Sequence, residues 1–475
     1  MITYVDKTAR IGLLVARRST LPKSTWRVPV DRRFISTITV SANDTTPAVL
    51  TPPLATLPAS VLLRSLLIAT ISSKPFLLDS SLWAISILSK PDRGFLFNVD
   101  RNPILHSILK NTFYNQFCAG ENGTEVKATI RQLKDMGFRG VIMTYAKETV
   151  FDRRTSTKEG PTILDAENDN GLSSSQAVHC DNIDSWRKGT LETIEQLEDG
   201  DYLAVKLTGA GPTVTEAFAA VQMPPKQMLV ALKEICNKCK DRNVRLLVDA
   251  ESQHFQWGIM RITLELMQQY NRDGFAVVYN TYQAYLKSTS DTLASHLVAA
   301  QKEGFTLGLK LVRGAYIASD NRSLIHDTKE ETDTAYNDIA QGALRHNIGE
   351  FGISIPFPSL DLLLCSHNRA SVMAAHQLHE YRVAAGLPTV PVEFAQLHGM
   401  SDEVSFSLLQ SKGIDGAPQV YKCSTWGSLG ECLAYLLRRA IENRDAVLRT
   451  NDEYTALKTE LKRRLRGTVY LYSGK

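Results

Sequence analysis

From residue 136 onward, short apolar or β-branched runs alternate with longer stretches of helical periodicity. The runs are Gly140–Tyr145, Tyr202–Thr208, Arg245–Asp249, Phe275–Tyr279, Thr306–Val312, Leu360–Cys365, Val390–Phe394 and Gln419–Cys423. Helix-length sequence separates most of them, at 215–240, 256–271, 283–303, 368–384 and 402–412. Near-continuous apolar strands alternating with helices predict a parallel sheet covered by helices. Eight such units predict an α/β fold of the (β/α)8 TIM-like barrel type, spanning 121–450. A doubly wound open sheet is the competing arrangement. The stretch 152–188 breaks the rhythm with Asp165, Glu167, Asn168, Asp169, Asn170 and a Ser173–Ser175 run, and is expected to be a surface insertion.

Ahead of the barrel the pattern changes. Residues 61–71 are mostly apolar but contain Arg64, and the run is too short and interrupted to span a bilayer, which takes ~20 apolar residues. They suit a helix packed on the protein or lying at a membrane surface, so 43–120 is expected to be an N-terminal helical arm. Through Ala42 there are eight Lys or Arg and two Asp, and no Glu occurs before Glu121. An Arg-rich, Ser/Thr-rich, acid-poor start has the composition of a mitochondrial presequence, or of a basic arm, over 1–42. The end of the chain, 451–475, is a basic tail.

Composition narrows the classes. The 475 residues are 43% hydrophobic, enough for a large core, and the net charge of +4 is too mild to indicate nucleic acid. Seven scattered cysteines argue against a disulfide scaffold. The one CxxC, Cys236–Cys239, has no second ligand pair nearby, and no Asp/His cluster has metal spacing, so no metal is expected.

The chemistry is read from the strand ends, where barrel enzymes place it. Lys206, Asp249-Ala250-Glu251, Asn280 to Gln283, Lys310 with Arg313-Gly314-Ala315-Tyr316, Ser366-His367-Asn368, and Gln396 to Met400 follow one another strand by strand. Tyr421 lies in the last run. The helix after it carries Tyr435, Arg438, Arg439 and Glu442 at spacings that share one face. Two adjacent guanidiniums suit a substrate carboxylate between them. The site is rich in cations, so an anionic substrate or cofactor is expected. Gly209-Ala-Gly211 lacks the third glycine of a dinucleotide fingerprint. A lysine on a barrel strand also fits a Schiff-base lyase using Lys206.

These motifs together resemble the proline dehydrogenase family of the fungal mitochondrial type, over roughly residues 110–450. They are Lys206 in Val-Lys-Leu-Thr, Val248 to Glu251, Asn280 to Leu286, Lys310 to Tyr316, Ser366 to Asn368, Gln396 to Met400, and Tyr435 to Asn443. The resemblance implies a barrel that binds FAD without a Rossmann domain. It implies oxidation of L-proline to Δ1-pyrroline-5-carboxylate by hydride transfer to flavin N5. Electrons would pass to membrane ubiquinone, from a peripheral position on the matrix side of the inner mitochondrial membrane.

Residue roles follow from the same resemblance. Arg438, Arg439 and Lys206 would hold the carboxylate, and Asp249 would orient Lys206 or Arg439. Lys310 would stabilise charge near flavin N5, and Gln283 would bond the flavin ring. Ala250, Arg313, Gly314, Ala315, Ser366, His367 and Asn368 would contact the cofactor. Tyr421, Tyr435 and Leu311 would enclose the substrate ring. Hydroxyproline-oxidising relatives have a smaller residue at the position assigned here to Tyr421, so Tyr421 implies proline over hydroxyproline or another cyclic imino acid. The chain departs from many relatives in carrying Thr144 where they have Asp.

Overall fold

The computed structural model describes residues 52–90, 94–146, 179–317, 319–411, 413, 416–442 and 447–472. The expected presequence and most of the 152–188 insertion therefore lie outside the described residues. The last part of that insertion is helical, because Asp181–Gln196 is a helix with Ile183 and Ile194 buried. Eight strands form a closed parallel barrel in sequence order. They are β1 (Gly140–Tyr145), β2 (Tyr202–Val205), β3 (Arg245–Val248), β4 (Val278–Gln283), β5 (Leu307–Val312), β6 (Leu360–Cys365), β7 (Val392–Leu397) and β8 (Gln419–Trp426). The open-sheet alternative is excluded by the β1–β8 pairing, which runs from Gly140↔Tyr421 to Tyr145↔Trp426.

Strand bounds differ from the apolar runs where lumen-facing positions are polar. β4 begins at Val278 and continues through Asn280 to Gln283, and β7 and β8 extend to Leu397 and Trp426. Ladder hydrogen bonds to neighbouring strands hold these polar segments extended, a constraint that hydropathy does not register. The expected helix over 215–240 is two helices, Pro212–Ala219 and Lys226–Asp241. Pro224 and Pro225 interrupt it, since proline lacks the N–H that a helix interior needs.

Alternation along each strand separates two cores. Leu307, Leu309 and Leu311 of β5, and Leu362 and Leu364 of β6, face the surrounding helices. Ile142, Ala204, Leu247, Leu363 and Ala395 fill the lumen. Below them, at the N-terminal end, Tyr202, Tyr279 and Tyr421 interlock, with Tyr202–Tyr421 centroids 5.0 Å apart. Arg245 bonds the Tyr202 hydroxyl at 2.6 Å and the Glu393 carboxylate at 2.8 Å. Gly308 makes room for this plug, because a Cβ there would come within 2.3 Å of the Val278 carbonyl oxygen and against the Tyr279 ring.

Before the barrel, helices Ala59–Ser72, Pro75–Leu88 and Pro103–Leu109 form the arm. Proline at the first turn of the latter two starts each helix with φ already suitable. Helix Gly123–Asp135 then leads into β1, with Asn122 accepting N–H bonds from Thr124 and Glu125. The last described helix, Val447–Tyr472, lies against the arm: Arg464 donates to the Leu54 and Leu57 carbonyls.

Candidate active site

The lumen's C-terminal half is polar where its lower half is aromatic. Lys310 of β5 is 8% exposed and donates from Nζ to Asp249 Oδ1 at 2.6 Å. Burial presses this ammonium towards its neutral form, but the Asp249 carboxylate outweighs it and holds the lysine pKa above the usual range. The cation therefore persists through neutral pH in a site of restricted dielectric, where a fixed charge acts strongly. The nearby thiols of Cys365 and Cys423 complete this level, and burial pushes Cys365 up to about 12.

Asp249 sits just past β3 and is fixed by its own N–H, which donates to the Val205 carbonyl at 2.9 Å. The expectation named Lys206 or Arg439, and the Arg439 side chain lies outside the described residues; among the described residues Lys310, two strands away across the lumen, pairs with Asp249. Both residues occupy inward positions, and the barrel's stagger brings them to one height. Lys206, at the end of β2, acts electrostatically on Glu251. Glu251 is buried and accepts from the Thr208 amide at 3.1 Å and from its hydroxyl. Burial raises this carboxyl above its usual value, against the opposing pull of Thr208 and Lys206. Gln283, 3% exposed, lies beside it, its Nε2 at 3.4 Å from the Glu251 carbonyl. Ala250 is buried between these groups in the chain.

A second cluster gathers after β5 and β6. Arg313 donates to Asp333 at 2.6 Å, Ser366 Oγ at 2.6 Å and Ser371 Oγ at 2.9 Å, and stacks on Tyr336 at 4.3 Å. Asn368 caps helix Arg369–Ala384 by accepting from the Ser371 N–H, and its own N–H donates to Ser366 Oγ. An oriented guanidinium beside a helix N-terminus is an arrangement suited to a phosphate. Gly314 adopts φ +143°, and a Cβ there would lie 2.3 Å from the Tyr285 ring, so only glycine lets the backbone pass. Ala315 adjoins it, half-buried. The Tyr285 hydroxyl is held by Asp320 at 2.8 Å, which also accepts from Ser252 and Gln253. His367 accepts the Leu397 N–H through Nε2 at 3.1 Å, so that nitrogen faces the barrel backbone.

Two expected substrate contacts are placed elsewhere. Leu311 is fully buried in the layer between β5 and the helices, because its neighbour Lys310 points inward. Tyr421 is third in β8 and belongs to the N-terminal aromatic plug, level with Gly140 and 3.4 Å from Glu393. The inward β8 residues nearer the mouth are Cys423 and Thr425, in register with Ile142 and Thr144. Cys423 was missed because the height of each residue in the barrel is set by register with β1, which the run Gln419–Cys423 does not carry. Counting two residues at a time from Tyr421 towards the mouth would have found it.

Helix Leu429–Glu442 carries Tyr435, half-buried against Leu429, Cys432, Leu433 and Leu436. The Arg438 and Arg439 side chains lie outside the described residues; their place on this helix is the one expected. The helix start is fastened by the arm, a feature with no signal in local sequence. Glu121 accepts from the Leu429 N–H and Asp100 from the Gly430 N–H, each at 3.0 Å. Lys110 holds Glu121 at 2.7 Å, and His106 lies 3.0 Å from the same oxygen. Removing one such cap costs about 1 kcal/mol. Asp100→Ala is therefore expected to lower stability by about that amount and to raise the substrate KM modestly, read by thermal melting and steady-state kinetics.

Comparison with known proteins bears on the family and the fold. The sequence profile of the proline dehydrogenase family matches residues 126–452. The probable mitochondrial proline dehydrogenase of Schizosaccharomyces pombe is 28% identical over 445 residues, covering 85% of this chain and 88% of that protein. The hydroxyproline dehydrogenase of Bos taurus is 29% identical over 400 residues, covering 76% and 82%. Among solved structures, proline utilization A from Bdellovibrio bacteriovorus shares the fold at a TM-score of 0.57 and 16% identity, covering 81% of this chain and 38% of that one. A closed eight-strand barrel, a charged lumen mouth and a profile match over most of the chain lead to one conclusion: this chain belongs to the proline dehydrogenase family.

Proposed function

We propose that the protein oxidises L-proline to Δ1-pyrroline-5-carboxylate with FAD as cofactor, passing the electrons to ubiquinone at the inner mitochondrial membrane. The observation that carries this reading is the buried Lys310–Asp249 pair inside the barrel mouth of a proline dehydrogenase family member. The residues present suit FAD. Arg313, Ser366 and Asn368 supply a cationic, N–H-rich corner for its phosphates. Gly314 and Ala315 allow close backbone approach, and His367, Ala250 and Gln283 border the path towards Lys310. When bound, FAD supplies a two-electron hydride acceptor.

The chain's own residues do the rest. Arg438, Arg439 and Lys206 bind the substrate carboxylate. A carboxylate clamp addresses a positioning problem, because the reacting atoms must be held roughly 3–3.5 Å apart. Tyr435 closes an apolar wall over the ring. Lys310, kept charged by Asp249, would offset the negative charge that FAD gains as the substrate C–H is lost to it as hydride; the N–H proton passes to solvent and C=N forms. The mitochondrial location rests on relatives named as mitochondrial proteins.

A second reading concerns the substrate ring. Without Tyr421 in the site, the β8 side chain facing it is the smaller Cys423. That removes the steric argument against a ring hydroxyl, and 4-hydroxyproline becomes a candidate substrate. The likeness to a hydroxyproline dehydrogenase supports it.

Anaerobic addition of L-proline to the yellow protein tests the main reading. Bleaching of the flavin band near ~450 nm is expected. Bleaching by 4-hydroxyproline alone would move the assignment to the second reading. A protein that stays colourless with added FAD would overturn both.

A further inference from the structure

The exposed large hydrophobic side chains concentrate in the arm, between Leu63 and Ile108. Helix Pro75–Leu88 has no fully buried residue, and Asp79 is its only charge. Phe76 and Trp83, seven apart and so on one helix face, are 79% and 69% exposed. The following turn presents Phe95, Leu96 and Phe97, and Ile104 on the next helix is 73% exposed. The opposite faces of these helices are used: Ile85, Leu88, Leu105 and Leu109 pack on Leu429, Cys432, Leu433 and Leu436. The arm is therefore a layer with one face on the helix that carries Tyr435 and the arginine pair, and the other exposed.

We infer that this outer face docks on an anionic lipid bilayer. Charge beside it favours that occupant. Helix Ala59–Ser72, which exposes Leu63 and Leu67, packs against helix Val447–Tyr472. That helix exposes Lys458, Lys462 and Arg466 at a four-residue spacing that shares one face. Exposed lysines and an arginine on the helix packed against Ala59–Ser72, whose Leu63 and Leu67 protrude, match a surface that is anionic at its headgroups and apolar beneath. Tryptophan at such a face suits the headgroup boundary. Among the described residues no single helix is long and apolar enough to span; helices Ala59–Ser72 and Pro75–Leu88 are so only as a pair bent by 102°, and with the inner face packed on helix Leu429–Glu442 the arm is assigned to the surface. This deepens the proposed function, resting on it only for the acceptor. A lipid-soluble quinone would reach the barrel from the bilayer on which the substrate-binding helix is backed.

Vesicle flotation of the full-length holoenzyme tests the inference. The protein is expected to float with mixed phosphatidylcholine/phosphatidylglycerol vesicles, and more weakly with phosphatidylcholine alone. The variant W83S/F95S/L96S/F97S is expected to stay at the bottom with both. The variant K458E/K462E is expected to lose affinity roughly 30-fold for the mixed vesicles only. Both variants alter exposed side chains and should keep wild-type thermal melting and turnover with a soluble dye acceptor. Wild-type protein that does not float would overturn the inference. So would a dimer in light scattering that the apolar variant converts to monomer, which assigns the face to a second copy. Proline turnover by a protein that does not float would leave the activity standing and sink the docking surface alone.

Discussion

Lys310→Met is expected to lower kcat for imino-acid oxidation by roughly 10²–10³-fold, the usual range for removing one preorganised electrostatic partner. The side chain is nearly as long, so packing changes little, while the positive charge is lost. The same change leaves the Asp249 carboxylate without its 2.6 Å partner. Breaking a buried pair this way costs about 3–5 kcal/mol, and Asp249's partial exposure places the loss at the lower end. A melting curve and pre-steady-state flavin reduction read the two effects separately. Asp249→Asn distinguishes them further. In the wild type the folded lysine pKa is raised, so the pair's stability is fully present below the unfolded value of about 10.4 and is lost as pH rises through the folded one. In the Asn variant burial acts on Lys310 alone and lowers its pKa. The basic limb of the rate profile should then move to lower pH. An unshifted profile with wild-type kcat would remove Lys310 from the mechanism.

Cys423→Tyr is expected to reduce kcat/KM for 4-hydroxyproline relative to proline by roughly 10- to 100-fold, the scale on which a pocket separates substrates by fit. Cys423 faces the lumen one step above Tyr421, and it is near enough to Lys310 to affect that lysine's titration. A phenol there occupies space that a ring hydroxyl would need. Cys423→Ser keeps the volume and should leave the ratio unchanged. Tyr421→Phe removes a hydroxyl from the aromatic plug and is expected to affect stability alone. A ratio unmoved by Cys423→Tyr would show that another residue sets ring selectivity.

Among the described residues, a second ionic group away from the mouth shows what buried charge does elsewhere in this fold. Lys422 is 1% exposed and donates to Asp402 at 2.7 Å and to the Met400 carbonyl at 2.9 Å. It faces away from the lumen, since Tyr421 and Cys423 on either side face in. His398 nearby is driven down to about 4, chiefly by burial and then by Lys422, so it is neutral at physiological pH. These groups join β7 and β8 to the surrounding helices, and nothing places them against substrate.

Alternation of apolar strands and helices along the chain determined the barrel, because each βα unit must bury a strand on both faces. The polar clusters at strand ends likewise determined which end of the barrel carries chemistry, as with Lys310, Arg313 and Ser366–Asn368. The partner of Asp249 was decided by tertiary structure, since barrel stagger sets the height at which β3 and β5 side chains meet. Strand length was decided there too: neighbouring ladders extend β4 and β8 through polar residues that hydropathy ends early. The register with β1 moved the specificity position from Tyr421, level with the first residue Gly140, to Cys423, one inward step nearer the mouth. Leu311 was lost to the site by strand parity. The fastening of helix Leu429–Glu442 by Asp100 and Glu121 spans more than 300 residues of chain, a separation over which no local pattern carries information.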